Sequence, residues 1–451
     1  MRRLLRILLP LTLALAVAPG SAGASPTGVA PAREFAPRQL LVKFEGQRSA
    51  RAFVLARGTA VHQAAALLRQ NPSVVYAEPN YIATASAAEP PPFDPNDSGS
   101  IEATAASAGE SGKWAYKQWN FLSPGGPETA TLPISPGGID APDAWRNLIE
   151  AGRPGGAGIV VAVLDSGIAY RSYGSEYQRS PDFGPRQFVP GYDFVSHDSL
   201  PLDQNGHGTH VAGTIAEKTG NGFGLTGLAY GAKLMPVRVL DRQGRGNALA
   251  IARGIRFAIV HHADVINMSF NFPCGKRVPV VDEALHQAYL AGIVTVASGG
   301  NLGSEGCVSE PATGPRVIGV GGTTEGGCLG YYSLAGGSID LVAPGGGTAR
   351  PGCPSVSSRP IYQVTLRPGS TSEFAIPATY VGTSMAAAHV SGAAALVLAS
   401  KAINPKLEPR LRVDQVTKRL RQTARDLGLP SPQQGAGLID VGRATEPVTR
   451  P

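Results

Sequence analysis

The stretch Ile159–Leu164, IVVAVL, decides the fold, because its six apolar residues suit a strand that is covered on both faces. Further runs of this kind follow at Lys233–Leu240, Ala263–Phe270, Ile293–Ala297 and Val317–Val320. Helical patterns lie between these runs, at His210–Glu217, Asn247–His262 and Val281–Ala291. Apolar strands that alternate with helices predict an α/β fold, with a parallel β-sheet flanked by helices on both faces. In such folds the functional residues collect beyond the carboxyl ends of the strands.

The N-terminus has the pattern of a secretory signal peptide over residues 1–24. A basic start is followed by the apolar run Ile7–Val17 and by the small residues Ala22-Gly23-Ala24, after which we expect cleavage. The apolar run is too short to span a bilayer. We therefore predict a secreted, extracellular protein that crosses the periplasm where one exists, without a membrane attachment.

The remaining chain separates into three segments by composition. Residues 25–84 predict a small α+β domain, with a strand at Gln39–Phe44, a helix at Ala60–Gln70 and a strand that begins at Val74. Residues 85–112 are rich in Ala, Ser, Pro, Gly and acids, which predicts a flexible linker open to proteases. Residues 113–451 form the predicted large domain.

Composition and cysteine usage exclude several classes of partner and site. The net charge of +7 is not arranged as a basic stripe with interleaved aromatic residues, which argues against a nucleic-acid partner. Four cysteines in an exported chain predict disulfides, and three pairings exist. Of these we favour Cys274–Cys307 together with Cys328–Cys353. No pair has CxxC spacing, which argues against zinc.

Three side chains in small-residue settings have the chemistry of acyl transfer. Asp165 ends the first strand run, His207 opens a helix in NGHGTHVAG, and Ser384 opens a helix in GTSMAAAHVSG. Ser384 alone is also explained as a helix N-cap, a role for which serine is favoured. Together, a serine, a base and an orienting carboxylate are what nucleophilic catalysis requires. The amide of Asn301 and the Ser384 N–H could then stabilise an oxyanion.

Four motifs, VVAVLDSGI, HGTHVAGTIA, ASGGN and GTSMAAAHVSG, resemble in this order the subtilisin-like serine peptidases, or subtilases. The resemblance covers roughly Trp114–Ala444. It implies that Asp165 orients the base, His207 is the general base, Ser384 is the nucleophile and Asn301 holds the oxyanion. It further implies a serine endopeptidase that cleaves proteins and peptides through an acyl-enzyme, needs no cofactor for the chemistry and is a monomer.

Residues 25–84 resemble the inhibitory propeptide of this family, above all at Val74–Tyr81, VVYAEPNY. This resemblance implies a self-processing zymogen that its own propeptide inhibits until the linker is cut. An ordinary accessory domain is the alternative interpretation.

The resemblance also implies a substrate cleft with two strand-like edges and a pocket for the first side chain. The implied substrate-binding residues are Gly244, Arg245, Gly246, Ser269, Phe270, Asn271, Ser298, Gly299 and Gly300. Asn271 stands where the family usually has glycine, a change that would narrow or polarise the pocket. Glu310 falls near the expected pocket floor, which predicts a preference for basic side chains.

A structural calcium site is implied at the loop Thr219–Leu225, TGNGFGL. Its implied ligands are the side chains of Asp182 and Asn221 and the main-chain oxygens of Phe223 and Leu225. Calcium binds such mixtures of oxygen ligands. A glycine-rich turn without a metal is the alternative.

Two other functions deserve comparison with an endopeptidase. A catalytically inactive binding protein of the same fold would lack one of the three reactive residues, and all three are present. An esterase of the α/β-hydrolase type would carry GxSxG and the order Ser, Asp, His, neither of which occurs here. The sequence therefore favours a secreted serine endopeptidase.

Overall fold

The computed structural model describes residues 35–47, 50–81, 94–101, 112–125, 132–303, 307–355 and 357–448. The chain divides into two compact units, residues 1–90 and 91–451. The expected signal peptide, the first part of the expected propeptide and linker residues 85–93 and 102–111 lie outside the described residues. Within the described ranges no helix has the length and apolarity to cross a membrane.

The first unit is a three-stranded antiparallel sheet with one helix. Its elements are β1 (Phe35–Phe44), β2 (Arg51–Val54), α1 (Val61–Leu68) and β3 (Val74–Tyr81), with strand order β2-β1-β3. Leu40 and Val42 of β1 pack with Ala65 of α1 in a small apolar core. The predicted strands and helix are confirmed. The sequence did not reveal β2, because all four of its residues are exposed and show no apolar alternation.

The second unit is built on a seven-stranded parallel sheet, as predicted. Its strand order is β10-β9-β8-β7-β4-β6-β5, and every pair is parallel. The sheet strands are β4 (Val160–Asp165), β5 (Tyr192–Asp193), β6 (Lys233–Arg238), β7 (Val265–Met268), β8 (Val294–Ser298), β9 (Val317–Thr323) and β10 (Leu341–Pro344). A small hairpin follows, formed by β11 (Thr365–Leu366) and β12 (Phe374–Ala375).

Helices cover both faces of this sheet. They are α2 (Ala141–Glu150), α3 (His207–Ala216), α4 (Ala248–Val260), α5 (Pro279–Leu290), α6 (Thr383–Ala399), α7 (Pro409–Thr423), α8 (Ser431–Gln434) and α9 (Val441–Thr445). Along β4, Val161 and Val163 belong to the core that contains α3 and α6, whereas Ala162 and Leu164 belong to the core that contains α4 and α5. This alternation explains why the strands are apolar at every position rather than at every second one.

Several elements of the second unit, among them β10 and α7, escaped the sequence analysis. β10 has only four residues, which is too short for a clear apolar run. α7 carries mostly charged and polar residues, and only Val413, Val416, Leu420 and Thr423 are buried. Both elements are defined by what they pack against, since their own patterns are weak.

The prediction of a flexible linker is wrong for residues 94–101, which belong to the second unit and are hydrogen-bonded within it. Both oxygens of Asp97 accept hydrogen bonds, from Gly220 N at 3.1 Å and from Asn221 N at 3.0 Å. Asn96 Oδ1 accepts from Gly222 N at 2.9 Å. Asp97 is fully buried. A segment of polar composition is ordered here because its side chains satisfy the main-chain N–H groups of a glycine-rich loop.

The favoured disulfide pairing is confirmed. Cys274 is bonded to Cys307 with Cα atoms 5.6 Å apart, and Cys328 is bonded to Cys353 with Cα atoms 6.0 Å apart. The first bond joins the loop after β7 to the segment that follows β8.

Candidate active site

The predicted reactive residues lie at the carboxyl ends of three adjacent central strands. In the sheet, Leu164 of β4 is opposite Met268 of β7, and Met268 is opposite Ala297 of β8. Asp165, Ser269 and Ser298 come next on their strands and therefore stand side by side at one edge of the sheet. The loops that follow these strands, together with the first turns of α3 and α6, form the candidate site beyond this edge.

Asp165 and His207 form a hydrogen-bonded pair at this edge. His207 Nδ1 donates to Asp165 Oδ1 at 2.8 Å, with the carboxylate fully buried and the imidazole one quarter exposed. α3 can begin this close to β4 because Gly208 has no side chain, and a Cβ there would stand 2.1 Å from Gly167 O. With Nδ1 donating to the carboxylate, the neutral ring keeps its free electron pair on Nε2.

The environment of His207 favours its protonated form. Burial lowers the pKa of His207, but the charge and hydrogen bond of Asp165 and the charge of Asp203 together outweigh it. The net pKa is raised above the ordinary value of histidine. The imidazole of His207 is therefore a stronger base than an ordinary histidine side chain.

Asp203 organises the loop that carries His207, a role the sequence did not show. Its buried carboxylate accepts from Ser166 Oγ at 2.9 Å, from Gly206 N at 3.0 Å and from Thr209 N at 3.0 Å. These bonds join the end of β4 to both sides of His207. Its position in a polar loop gave no local signal, because the partners come together only in the folded chain.

Tyr380 is a second neighbour that the sequence analysis missed. Its ring stacks on His210 with centroids 4.0 Å apart and lies 6.4 Å from the His207 ring centroid. His210 Nε2 is bonded to Ile361 O at 3.0 Å, and burial lowers the pKa of His210 to about 3. His210 is thus held neutral in the interior.

Ser384 lies in the first turn of α6, directly beside the end of β7. Its Oγ donates to Ser269 O at 3.1 Å, while Ser269 Oγ donates to Ser384 O at 2.8 Å. Ser384 is largely buried, with 8% of its surface exposed. This position places the main-chain N–H groups of the first helical turn around the hydroxyl.

The side chain of Asn301 is fixed against the start of α6. Its Oδ1 accepts from Thr383 N at 2.8 Å and from Thr383 Oγ1 at 2.9 Å. Because the oxygen is held in this way, the Nδ2 group is directed away from Thr383 as a donor. Gly382 makes the contact feasible, since a Cβ there would stand 3.0 Å from Asn301 Nδ2.

The two segments expected to form the pocket walls are Ser269–Asn271, bonded to Ser384 through Ser269, and Ser298–Gly300, bonded to Thr383 through Gly300 N. Asn271 Nδ2 donates to Ser298 O at 2.5 Å, and Ser298 Oγ donates to Asn271 Oδ1 at 3.1 Å. The Asn271 side chain therefore crosses from one wall to the other. Gly244, Arg245 and Gly246 lie apart, in a turn where Asp241 binds both the N–H and the carbonyl of Arg245.

Glu310 does not lie free at the pocket floor as the sequence suggested. It is 3% exposed, and its Oε2 accepts a hydrogen bond from Val278 N at 2.7 Å. Burial and the charge of Asp282 raise the pKa of Glu310. Its carboxylate is committed to the loop after β7.

The loop that carries the expected calcium ligands is hydrogen-bonded to the buried carboxylate of Asp182, itself one of those ligands. Asp182 Oδ1 accepts from Asn221 Nδ2 at 2.9 Å, and Oδ2 accepts from Leu225 N at 2.8 Å. Asn221 Oδ1 in turn accepts from Phe223 N at 2.9 Å. Across the described ranges there is no group of three or more His, Cys, Asp or Glu side chains arranged to hold a metal. The expected set is of another kind, with one carboxylate, one amide and main-chain oxygens.

The charges around Asp182 suit a divalent cation. Burial raises the pKa of Asp182 to about 8 and that of Asp97 to about 7. Burial and the charge of Asp182 also raise the pKa of Glu217, which is fully buried. Lys218 supplies positive charge near Asp97 and Asp182, yet the pKa values stay raised. A bound cation would stabilise the charged form of these carboxyl groups further, so the residues fit calcium.

Comparisons with known proteins place the chain in one family. The family model described as the subtilase family matches residues 156–438. Subtilisin DY of Bacillus licheniformis is 36% identical over 294 residues, which are 64% of this chain and 92% of that protein. Subtilisin E of Bacillus subtilis is 39% identical over 297 residues, 64% of this chain and 66% of that protein.

Two solved structures are similar to the chain in fold. A protease from Pseudoalteromonas arctica matches with a TM-score of 0.57 and 31% identity, over 68% of this chain and 94% of the other. A cold-adapted subtilisin-like serine proteinase matches with a TM-score of 0.51 and 25% identity, over 72% of this chain and 96% of the other.

Proposed function

The chain belongs to the subtilase family of serine endopeptidases, and from this premise we propose that Asp165, His207 and Ser384 are its catalytic triad. The observation that carries the proposal is the 2.8 Å hydrogen bond between His207 and Asp165 at the end of β4, with Ser384 bonded to Ser269 at the end of the neighbouring strand β7. We further propose that the protein is secreted and made as a self-processing zymogen.

The proposed reaction begins with a turn of the Ser384 hydroxyl. In the free protein this hydroxyl donates to Ser269 O, so it must rotate toward His207 when a substrate carbonyl arrives. Ser384 Oγ then attacks the carbonyl carbon while its proton passes to His207 Nε2. Asp165 keeps the imidazole in the required tautomer and stabilises the imidazolium that forms.

The oxyanion of the tetrahedral intermediate needs donors that are already in place. Asn301 Nδ2 and the Ser384 N–H are the proposed donors, because Asn301 is fixed by Thr383 at the helix start. His207 then gives its proton to the leaving amine as the acyl-enzyme forms. A water molecule releases the acyl group by the same steps in reverse order.

The substrate is proposed to bind as an extended strand beside two segments of the cleft. Residues 269–271 flank Ser384 directly. On the other side, both main-chain polar groups of Arg245 and the N–H of Gly244 are bonded to Asp241. We therefore assign the main-chain pairing with the substrate to the Gly244 carbonyl and to Gly246. Protein and peptide substrates are the proposed partners, and we propose that the enzyme acts as a monomer.

The first unit is proposed to be the propeptide, and residues 94–101 locate its processing site. Because these residues are bonded to the loop Gly220–Gly224 of the second unit, they belong with the mature enzyme. We therefore propose that self-cleavage occurs between residues 85 and 93. The proposal rests on the division into two units and on the sequence resemblance of the first unit to inhibitory propeptides.

We also propose that calcium binds at Asp182 with stabilisation as its role. Asp182, the Asn221 amide and the main-chain oxygens of Phe223 and Leu225 would hold it. When bound, the ion supplies positive charge and no part of the peptide-bond chemistry. Asn221 would exchange its bond to Phe223 N for the ion.

The first test is casein hydrolysis by the purified secreted protein, together with mass spectrometry of its N-terminus. The wild type should digest casein and begin between residues 85 and 94. Ser384→Ala should leave casein intact and retain the first unit. Ser400→Ala, at the far end of the same helix, is the control and should behave as the wild type.

Two results would contradict the proposal. If Ser384→Ala still digested casein, Ser384 would not be the nucleophile. If the folded wild type were inert and reacted with no serine-directed phosphonate probe, a catalytically inactive binding protein would be the better interpretation.

A further inference from the structure

The crevice beside Ser384 has two walls whose positions follow from the sheet. Ser269 and Ser298 stand opposite each other at the ends of β7 and β8, and the chain continues from each of them past Ser384. Under the proposed mechanism, the carbonyl of the bond to be cut lies between Ser384 and Asn301. The side chain that precedes this bond must therefore enter between residues 269–271 and residues 298–300.

The side chain of Asn271, an exposed residue, reaches from one of these walls to the other. Its amide makes a two-way pair with Ser298, donating to the main-chain oxygen at 2.5 Å and accepting from the hydroxyl at 3.1 Å. On the other side, its Cγ lies 3.9 Å from the point where a Cβ on Gly300 would stand. The amide thus touches the opposite wall at its first residue and comes within contact distance of its last.

The loop that carries Asn271 is tied down at three further points. Phe272 N donates to Glu310 O at 2.7 Å, and Val278 N donates to Glu310 Oε2 at 2.7 Å. Between these two bonds, Cys274 is joined to Cys307. A loop held in this way cannot swing outward to make room for a large side chain.

Among the described residues, the acid that the sequence placed at the floor of this crevice has its carboxylate hydrogen-bonded to the main chain. Glu310 is the acid nearest in sequence to the expected floor, and it is 3% exposed with its carboxylate bonded to Val278 N. The structure therefore removes the reason to expect cleavage after lysine or arginine.

We propose that Asn271 closes the first side-chain pocket to large residues, so that the enzyme cleaves preferentially after small ones such as alanine, glycine and serine. The proposal rests on the proposed function, because it uses the assigned positions of Ser384 and Asn301. Asn271 acts here as a specificity-determining residue and takes no part in the bond-breaking steps.

The test uses peptide p-nitroanilides that differ only in the residue before the cleaved bond: alanine, leucine, phenylalanine or lysine. For the wild type, kcat/KM should be at least ~10-fold higher with alanine than with phenylalanine. A hydrophobic pocket gains or loses roughly 10- to 200-fold per methylene, so this difference is a modest demand.

Asn271→Gly and Asn271→Ala should both open the pocket. We expect kcat/KM for phenylalanine to rise ~10-fold or more, with the alanine value within ~3-fold of the wild type, as a one-methylene contact predicts. Asn271→Ala keeps the backbone stiffness that glycine removes, and it separates the loss of the amide from loop flexibility. Asn404→Gly, an exposed position whose side chain bonds only its own loop, should change neither value.

A wild type that prefers phenylalanine, leucine or lysine would overturn the proposal. An unchanged ratio of phenylalanine to alanine in both Asn271 variants would also overturn it, provided that their melting temperatures match the wild type. If no peptide were cleaved and Ser384 reacted with no phosphonate probe, the proposed function would fail and this inference with it.

Discussion

The pKa of His207 is set by the balance of three effects: burial, the carboxylate of Asp165 and the carboxylate of Asp203. Burial opposes its charge, whereas the carboxylates of Asp165 and Asp203 support it, and the carboxylates win. Asp165 was visible in the sequence because it ends an apolar strand. Asp203 was not, because its bonds to Ser166 and Thr209 join parts of the chain that only the fold brings together.

The pH dependence of catalysis should report this balance. His207 must be neutral to accept the proton of Ser384, so activity is present above its pKa and is lost as the pH falls through it. Because the pKa of His207 is raised, the acid limb of kcat/KM should lie above about 6.5, the ordinary value for histidine. This is measured from kcat/KM against pH with a peptide substrate, which reports the free enzyme.

Asp165→Asn supplies the comparison for that measurement. It removes the charge that raises the pKa, so the acid limb should move to lower pH. The rate should fall ~10⁴-fold, a magnitude taken from the same substitution in other serine peptidases rather than from this geometry. The acid limb of kcat/KM in the wild type could have its midpoint at or below pH 6.5, or the limb could stay in place in Asp165→Asn. Either result would show that Asp165 does not control the pKa of His207.

At the scale of elements, α6 and the loops after the strands perform different tasks. α6 is buried over nearly its whole length, and its alanines and glycine let it pass between the sheet and the surrounding helices. A side chain at Gly392 would meet Leu228 at 3.0 Å, so this closeness is already at its limit. The loop after β7, by contrast, is exposed over residues 273–277 and depends on covalent and hydrogen bonds for its shape.

Removal of either disulfide should therefore lower stability by a similar amount, but only one removal should change the specificity of cleavage. Cys274 and Cys307 are separated by 33 residues and Cys328 and Cys353 by 25, so each bond should contribute about 3–4 kcal/mol by loop closure. Paired Cys→Ser replacement at either bond should lower the free energy of unfolding by similar amounts, as measured in urea. Only Cys274→Ser/Cys307→Ser should also raise cleavage after phenylalanine relative to alanine, because it releases the loop of Asn271.

The second pair, Cys328→Ser/Cys353→Ser, is thus the matched control for specificity. If both double variants shifted the ratio equally, the change would come from lost stability rather than from the pocket wall.

At the scale of the whole molecule, the N-terminal residues of the second unit are hydrogen-bonded to the Gly220–Gly224 loop. Residues 94–101 bond to that loop from one side, and Asp182 bonds to it from the other. Buried carboxyl groups with raised pKa values, Asp97, Asp182 and Glu217, meet there. This region is where we expect stability to depend on a cation.

Calcium should raise the melting temperature, and removal with EGTA should lower it. A ligand at about a hundredfold excess over its Kd contributes ~2.7 kcal/mol to the free energy of unfolding. Calorimetry of the Ser384→Ala protein in calcium and in EGTA measures the difference without self-digestion. Asp182→Asn in the same background should abolish the calcium response, whereas Asp198→Asn, an exposed loop acid, should retain it.

An equal calcium response in both Asp→Asn variants would place any binding elsewhere. A melting temperature that is the same in calcium and in EGTA would favour the glycine-rich turn without a metal.

The sequence by itself determined the parallel sheet, its two covered faces and the residues at the strand ends. These follow from local patterns, since a strand buried on both faces is apolar throughout and Asp165, His207, Ser384 and Asn301 stand in short motifs of small residues. It also indicated the disulfide pairing. The short β10 and the polar α7 were missed because their patterns are weak without their packing partners.

Only the tertiary structure decided how the remaining side chains are used. Glu310 was expected at the pocket floor and is instead bonded to Val278, while Asn271 turns across to Ser298. Residues 94–101 have the composition of a linker and are ordered by the N–H groups of a distant loop. In each case the deciding contact joins residues far apart in the chain, and the local sequence cannot show which hydrogen-bond partner folding will bring near.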